Sequence, residues 1–268
     1  MIAFLPLAIV VALGRGRPLL RLVAFVGIPF IAASIIFSKS RGGVVALVAM
    51  LAVLLFQLRR LRPGIGVLVI AATLASIPLL PESFTGRMSS IFHAEEDPTG
   101  SREARKRLLR DGYQAFIDNP LFGLGAGQFQ NHNPEGRKEE AWRETHNAVL
   151  QVAAELGIAG LAIFLIVIGS GFAAVIRTSA AVRRGGHTRT LARAPDAAGK
   201  QREAMEMYGA AMAASLTGWF VAAMFASVAY YWTFYIVLGL ATSVRDVVRQ
   251  QLPAGATAAR RPAWRTAA

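Results

Sequence analysis

Residues 149–176 read VLQVAAELGIAGLAIFLIVIGSGFAAVI, twenty-eight residues with a single charge, Glu155. A bilayer's hydrocarbon core is about 30 Å thick and is crossed by roughly 20 apolar helical residues. This run is long enough to do so with residues to spare. Six other blocks share its character: Ile2–Leu13, Leu22–Phe37, Val44–Leu58, Ile65–Leu80, Met207–Ala229 and Trp232–Val244. Backbone N–H and C=O groups find no partner in lipid, so each block is expected to be a helix. The alternation of a membrane barrel is missing. The expected fold is therefore an all-α integral membrane protein with about seven transmembrane helices and one periplasmic loop domain.

The net charge of +13 would suit nucleic acid, but its placement argues against that partner. Arg15, Arg17 and Arg21 share one short connection; Arg59, Arg60 and Arg62 share another. Arg177, Arg183, Arg184, Arg189, Arg193, Lys200 and Arg202 fill a third segment, and Arg245, Arg249, Arg260, Arg261 and Arg265 mark the tail. Threading the seven blocks in turn puts all four segments on one side, which the positive-inside rule makes cytoplasmic. Pro81–Thr145, with nine Lys/Arg and eleven Asp/Glu, then faces outward. The basic clusters read as a topology signal in contact with anionic lipid. The chain has no cysteine, which excludes disulfides and thiolate metal sites. The first block lacks the basic lead and small-residue cleavage pattern of a signal peptide. The threading puts Met1 outside, so the expectation is a longer protein that has lost its N-terminal helices, or one whose start is misassigned.

The resulting organisation is four helices over 1–80, an outer loop over 81–147 and a span over 148–176. A basic cytoplasmic loop over 177–206, two spans over 207–245 and a tail over 246–268 follow. Leu191–Lys200 reads as flexible linker and Pro253–Ala268 as disordered. In the outer loop Ser101 is a candidate N-cap for an amphipathic helix over Arg102–Asp118. Its apolar side is read as Leu108, Leu109, Tyr113, Phe116 and Ile117, its other side as Arg105, Lys106 and Arg110. Asn119-Pro120 ends it, and Gly123, Gly125 and Gly127 form a flexible turn.

Three residues could carry chemistry. Arg41, in Ser40-Arg41-Gly42-Gly43, sits at the outer surface, where charge placement does not call for it. Its planar fork suits a lipid or substrate phosphate. Arg102 opens the amphipathic helix, and with Arg105 and its basic neighbours it presents a face to lipid headgroups or to a diphosphate. His146 stands where the loop meets a span; a neutral imidazole can take a proton from an attacking hydroxyl. Asn147 beside it could orient the ring or bind a sugar hydroxyl. Alone, each also fits a plain role: a lipid or carboxylate partner for Arg41, a solvated charge for Arg102, a helix-cap position for His146. Gly123-Leu124-Gly125-Ala126-Gly127 follows no strand and precedes no Gly-Lys-Ser/Thr, which rules out a P-loop. His132 and His146 lack zinc spacing. Glu95, Glu96 and Asp97 read as a solvated acidic run rather than a glycosidase pair. Glu155 is a candidate partner for an arginine.

Taken in order, Ser40-Arg41-Gly42-Gly43, Gly100-Ser101-Arg102, Asn119-Pro120-Leu121-Phe122-Gly123-Leu124-Gly125, Thr145-His146-Asn147 and Ala154-Glu155-Leu156-Gly157-Ile158-Ala159-Gly160-Leu161 resemble the O-antigen ligase and polymerase family. These are bacterial membrane glycosyltransferases of cell-envelope assembly. The likeness covers about Ser38 to Phe164. It implies a helical bundle in the inner membrane with a periplasmic loop over the site. It also implies a glycan donor on undecaprenyl diphosphate, an inverting transfer, and neither metal nor cofactor. The implied acceptor is lipid A–core for a ligase or another lipid-linked repeat for a polymerase. Arg41 and Arg102 match the family's functional arginines and His146 its functional histidine. The seven spans read here are fewer than members usually carry, which leaves open a non-catalytic, truncated relative. A transporter of lipid-linked glycan would need polar residues deep in several spans, and these are sparse.

Overall fold

The computed structural model describes residues 1–38, 40–61, 63–76, 101–132, 144–187 and 196–251, and every regular element among them is helical. A 3-10 turn, Ile2–Phe4, leads into α1 (Leu5–Leu13), α2 (Pro18–Phe37), α3 (Arg41–Leu61) and α4 (Pro63–Ser76). Then come α5 (Ser101–Asp118), a single turn α6 (Phe129–His132), α7 (Ala148–His187), α8 (Asp196–Ala223) and α9 (Trp232–Gln251).

Helix α8 is the post around which the others stand, touching α1, α3, α7 and α9. Its small residues let neighbours come close, as expected where helices pack without a water-driven force. A Cβ on Gly218 would lie 2.9 Å from both Ile2 Cγ2 and Met50 Cβ, so the 3-10 turn ahead of α1 and α3 converge there. Lower down, Val10 packs with Met207 and Ala211, so α1 runs antiparallel to α8. Helix α7 is also antiparallel to α8: Gly171 faces Leu216, and Gly209 faces Ser179. Phe234 stacks on Trp219 at 4.0 Å between ring centroids and meets Phe164 edge-on, locking α9 to both. Arg15, Arg17, Arg21, Arg59, Arg177 and Arg202 gather at one end of the bundle; the starts of α3, α7 and α9 and the close of α8 share the opposite end.

Three expectations change. Among the described residues, Pro18–Phe37, Arg41–Arg59 and Ala148–Val182 are long and apolar enough to cross a membrane, three of the seven spans expected. The reason is length and charge: α1 spans only about 13 Å at 1.5 Å per residue, and α8 begins in a polar stretch holding Lys200, Arg202, Glu203 and Glu206. Next, much of the basic segment after Ile176 is helical, since α7 runs on to His187 and α8 already starts at Asp196, inside the stretch read as linker. Finally, α5 is rotated from its expected phase. Leu108, Gly112 and Ala115 are its buried side, while Leu109, Tyr113 and Ile117 are exposed and Arg105 is half-buried at the edge of the packed face. Residues 81–100 and 253–268, with their acidic run and tail, lie outside the described residues.

Candidate functional site

The motifs meet at the end of the bundle away from the basic residues. Ser40 caps α3: its Oγ accepts the Gly43 N–H at 3.1 Å, as an N-cap serine does. Arg41 follows, half-buried. Gly42 is where the sequence demands no side chain, because a Cβ there would fall 2.4 Å from Phe225 Cβ. Phe225 belongs to the α8–α9 connection, residues 224–231.

His146 reaches the same connection. Its backbone N–H donates to Ser227 Oγ at 2.9 Å, and Thr145 Oγ1 lies 3.4 Å from that hydroxyl. His146 is the non-glycine residue with positive φ, 52°, among the described residues. A side chain in that region is strained and persists only where its surroundings hold it. Those surroundings are specific. Thr145 is fully buried and donates to the Asn147 carbonyl at 2.9 Å. Asn147 Oδ1 accepts the N–H groups of Val149 and Leu150 at 3.0 Å each, capping α7. Its amide reaches the Met224 carbonyl at 3.5 Å. Asn147 is thus committed to holding His146 and the α7 start.

Two glycine-bearing motifs dock on one another just below. Helix α7 kinks at Gly157 (φ 65°), and a Cβ there would lie 2.4 Å from the Leu121 carbonyl oxygen. Gly123 (φ 66°) returns the contact: its Cβ would lie 2.3 Å from the Glu155 carbonyl carbon. Three backbone bonds stitch the faces together: Leu124 N–H to Ala154 O at 3.0 Å, Gly125 N–H to Glu155 O at 2.8 Å, and Ile158 N–H to Pro120 O at 2.8 Å. The glycine turn is therefore a fitted loop rather than a slack one.

Glu155 holds this loop from inside. It is buried, and its carboxylate accepts the Gly127 N–H at 3.0 Å and the Phe129 N–H at 3.3 Å. The Tyr230 phenol also hydrogen-bonds to it; burial first, then this bond and the carboxylate's charge, push the phenol well above its ordinary value. Among the described residues the partners of Glu155 are backbone amides and a tyrosine, where an arginine was expected.

Helix α5 covers the assembly. A Cβ on Gly112 would lie 3.1 Å from Thr145 Cγ2 and from Leu150 Cδ2, so α5 leans on the residues flanking His146. Leu108 and Ala115 join Phe129 and Ala154 in a small core. Arg102 opens α5 ten residues before Gly112, about 15 Å along the axis.

Sequence reading missed the α8–α9 connection, where Phe225, Ser227 and Tyr230 receive Gly42, His146 and Glu155. It lay hidden because residues 207–229 read as one apolar block, whereas α8 stops at Ala223. The available signal was the aromatic run Tyr230-Tyr231-Trp232, of the kind that marks a membrane–water boundary.

A sequence profile of the family described as O-antigen ligase matches residues 26–165, just over half of the chain. The chain belongs to the O-antigen ligase family. The match runs from within α2 to within α7, so it takes in Arg41, Arg102, His146 and Glu155 and stops short of the α8–α9 connection. No curated protein and no solved structure matches the chain. As a member of the O-antigen ligase family with apolar helices of membrane-crossing length, it is a membrane protein.

Proposed function

We propose that the chain is a glycosyltransferase that moves a glycan from undecaprenyl diphosphate to a hydroxyl acceptor, lipid A–core, at the periplasmic face of the inner membrane. The observation that carries this reading is the convergence of Arg41's helix start and His146 on one connection, through the Gly42–Phe225 and His146–Ser227 contacts. Family membership supports it, and so does the gathering of basic residues at the other end, which the positive-inside rule assigns to the cytoplasm.

In the proposed step the acceptor oxygen attacks the anomeric carbon from the face opposite the diphosphate. The carbon–oxygen bond to the diphosphate breaks, and inversion results. The hydroxyl proton passes to the His146 imidazole and later to water. Negative charge grows on the departing diphosphate. Arg41, Arg102 and Arg105 stabilise it with fixed guanidinium charge, without a metal; losing one such donor typically costs about 10²–10³ in rate. Loss of a general base costs about 10²–10⁴. Asn147 acts as the cap that fixes the histidine.

The test is complementation of a strain lacking its own O-antigen ligase, by this chain and by a genomically extended form, with surface glycan read on a gel. Glycan joined to lipid A–core, and lost with His146→Ala and Arg41→Ala, is the expected result. Failure of both forms there, with chain length restored in a polymerase-deficient strain, would replace the ligase reading with a polymerase one.

A further inference from the structure

Helix α7 carries its own measure of the bilayer. Its large exposed apolar side chains begin at Ile158 and end at Ile176, and the exposed Arg177 follows. Ahead of Ile158, residues 151–155 are buried under protein. Ile158–Ile176 is nineteen residues, about 28 Å of helix, against a hydrocarbon core of about 30 Å. One edge of the hydrocarbon therefore falls at Ile158. A second observation marks the same level: the exposed Tyr230, Tyr231 and Trp232 form an interfacial aromatic group, and Tyr230 is tied to Glu155, one turn above Ile158.

The loop after α5 meets α7 at this level. Pro120 accepts the Ile158 N–H, so Leu121 and Phe122 stand at the hydrocarbon edge, and Phe122 is 83% exposed. Upstream, Ile117, Tyr113 and Leu109 continue the exposed apolar surface at i, i+4 spacing along α5. Lys106 and Arg110 border this stripe, with Lys106 paired to Glu103 at 2.8 Å, while Arg107, Gln114 and Asp118 occupy the polar side, Gln114 Nε2 donating to Asp118 at 2.8 Å. An apolar stripe with basic flanks and a polar back is the design of a helix lying in a membrane interface.

We propose that α5 and the Leu121–Phe122 turn are seated in the outer leaflet of the bilayer, with Leu109, Tyr113, Ile117, Leu121 and Phe122 in the acyl boundary and Lys106 and Arg110 among the headgroups. The occupant of this surface is lipid, argued from its continuity with the lipid-facing side of α7. The inference rests on the chain being a membrane protein and is independent of the reaction proposed above. It explains why bulky side chains of α5 face outward while Gly112 and Ala115 face the bundle.

The absence of cysteine from the sequence makes the test direct. Single variants Tyr113→Cys, Ile117→Cys, Phe122→Cys and, on the polar back, Gln114→Cys are labelled with an environment-sensitive fluorophore. Each full-length chain is reconstituted in phosphatidylcholine–phosphatidylglycerol nanodiscs. Labels at the first three positions should lose about half their emission or more with lipids carrying a shallow nitroxide and resist aqueous iodide, with Gln114→Cys behaving the opposite way. Iodide quenching at Tyr113, Ile117 and Phe122 equal to that at Gln114 would overturn the proposal. So would labels shielded from both quenchers, with Phe122→Cys cross-linking between copies, since a second chain would then cover the stripe.

Discussion

Replacing Glu155 with alanine tests whether the Asn119–Gly127 loop is held by the carboxylate or merely rests beside it. Two backbone N–H groups, of Gly127 and Phe129, end on that carboxylate at 3.0 and 3.3 Å. Leaving a buried donor unpaired costs about 1–3 kcal/mol. Phe129 is buried and takes the upper part of that range; the Gly127 bond is partly open to solvent and takes the lower part. Tyr230, partly exposed, recovers most of its bond from water. The sum is about 3–5 kcal/mol for Glu155→Ala. Glu155→Gln keeps one acceptor oxygen and turns an N–H donor toward the other amide, so about half of that loss is expected. The measurement is equilibrium unfolding of the purified chain in mixed micelles, followed by tryptophan fluorescence. A double-mutant cycle with Tyr230→Phe adds a sharper check. The phenol has no carboxylate to bind once Glu155→Ala is in place, so the two changes together should cost about 1 kcal/mol less than their sum. If Glu155→Ala is within about 0.5 kcal/mol of the parent, or if the two changes add fully, the carboxylate does not organise the loop.

Ser227→Ala removes the acceptor of the His146 N–H; stability should fall by about 1 kcal/mol, and glycan transfer should drop in turnover more than in donor KM, read in a reconstituted assay. Gly42→Ala forces a Cβ onto Phe225 and, since the nearest atom is that residue's own Cβ, trimming Phe225 to alanine should not restore it; the expected cost is about 1–3 kcal/mol, with loss of complementation. Gly157→Ala meets both a positive φ and the Leu121 carbonyl, and limited proteolysis should cut the Asn119–Gly127 loop faster than in the parent. Tyr230 predicts an alkaline limb. Its pKa is raised in the fold, so its contribution is complete below the ordinary phenol value of 10.0. Above that pH the unfolded chain ionises while the folded one resists, and stability declines. Unfolding midpoints compared between pH 9 and pH 11 should fall less in Tyr230→Phe than in the parent.

Much of this was legible because the relevant bonds are local. Asn119-Pro120 stops α5 where proline must, and Gly123, Gly125 and Gly127 turn the chain with positive φ, whereas the caps made by Ser40 and Asn147 and the kink at Gly157 were not read from the sequence. Two further features resisted reading. Glu155 finds its backbone partners 26 and 28 residues away, and neither Gly127 nor Phe129 advertises a free amide. The phase of α5 failed for a different reason. Apolar periodicity says which side of a helix avoids water, but not whether protein or lipid covers it. In water the bulky residues would turn inward. At a membrane edge lipid accepts them, and the close contact with the bundle goes to small residues such as Gly112 and Ala115.

The division of labour along the chain follows from the same geometry. The residues proposed to act on substrate, Arg41, Arg102, Arg105 and His146, all lie within the segment matched by the family profile, residues 26–165. The groups that hold two of these regions in place lie beyond it: Phe225 against Gly42, Ser227 on His146 and Tyr230 on Glu155. Each contact takes a different form: van der Waals closeness at a glycine, a hydroxyl accepting a backbone amide, a phenol donating to a carboxylate. A connection of eight residues, 224–231, can receive α3 and α7 at once because α8 ends at Ala223 at the same level where those two helices begin. Inserting even one residue between Phe225 and Ser227 would move one contact out of step with the other. The spacing Phe225-Ala226-Ser227 is therefore as much a part of the site as Thr145-His146-Asn147, and an alanine inserted after Ala226 should abolish glycan transfer while α8 and α9 still fold.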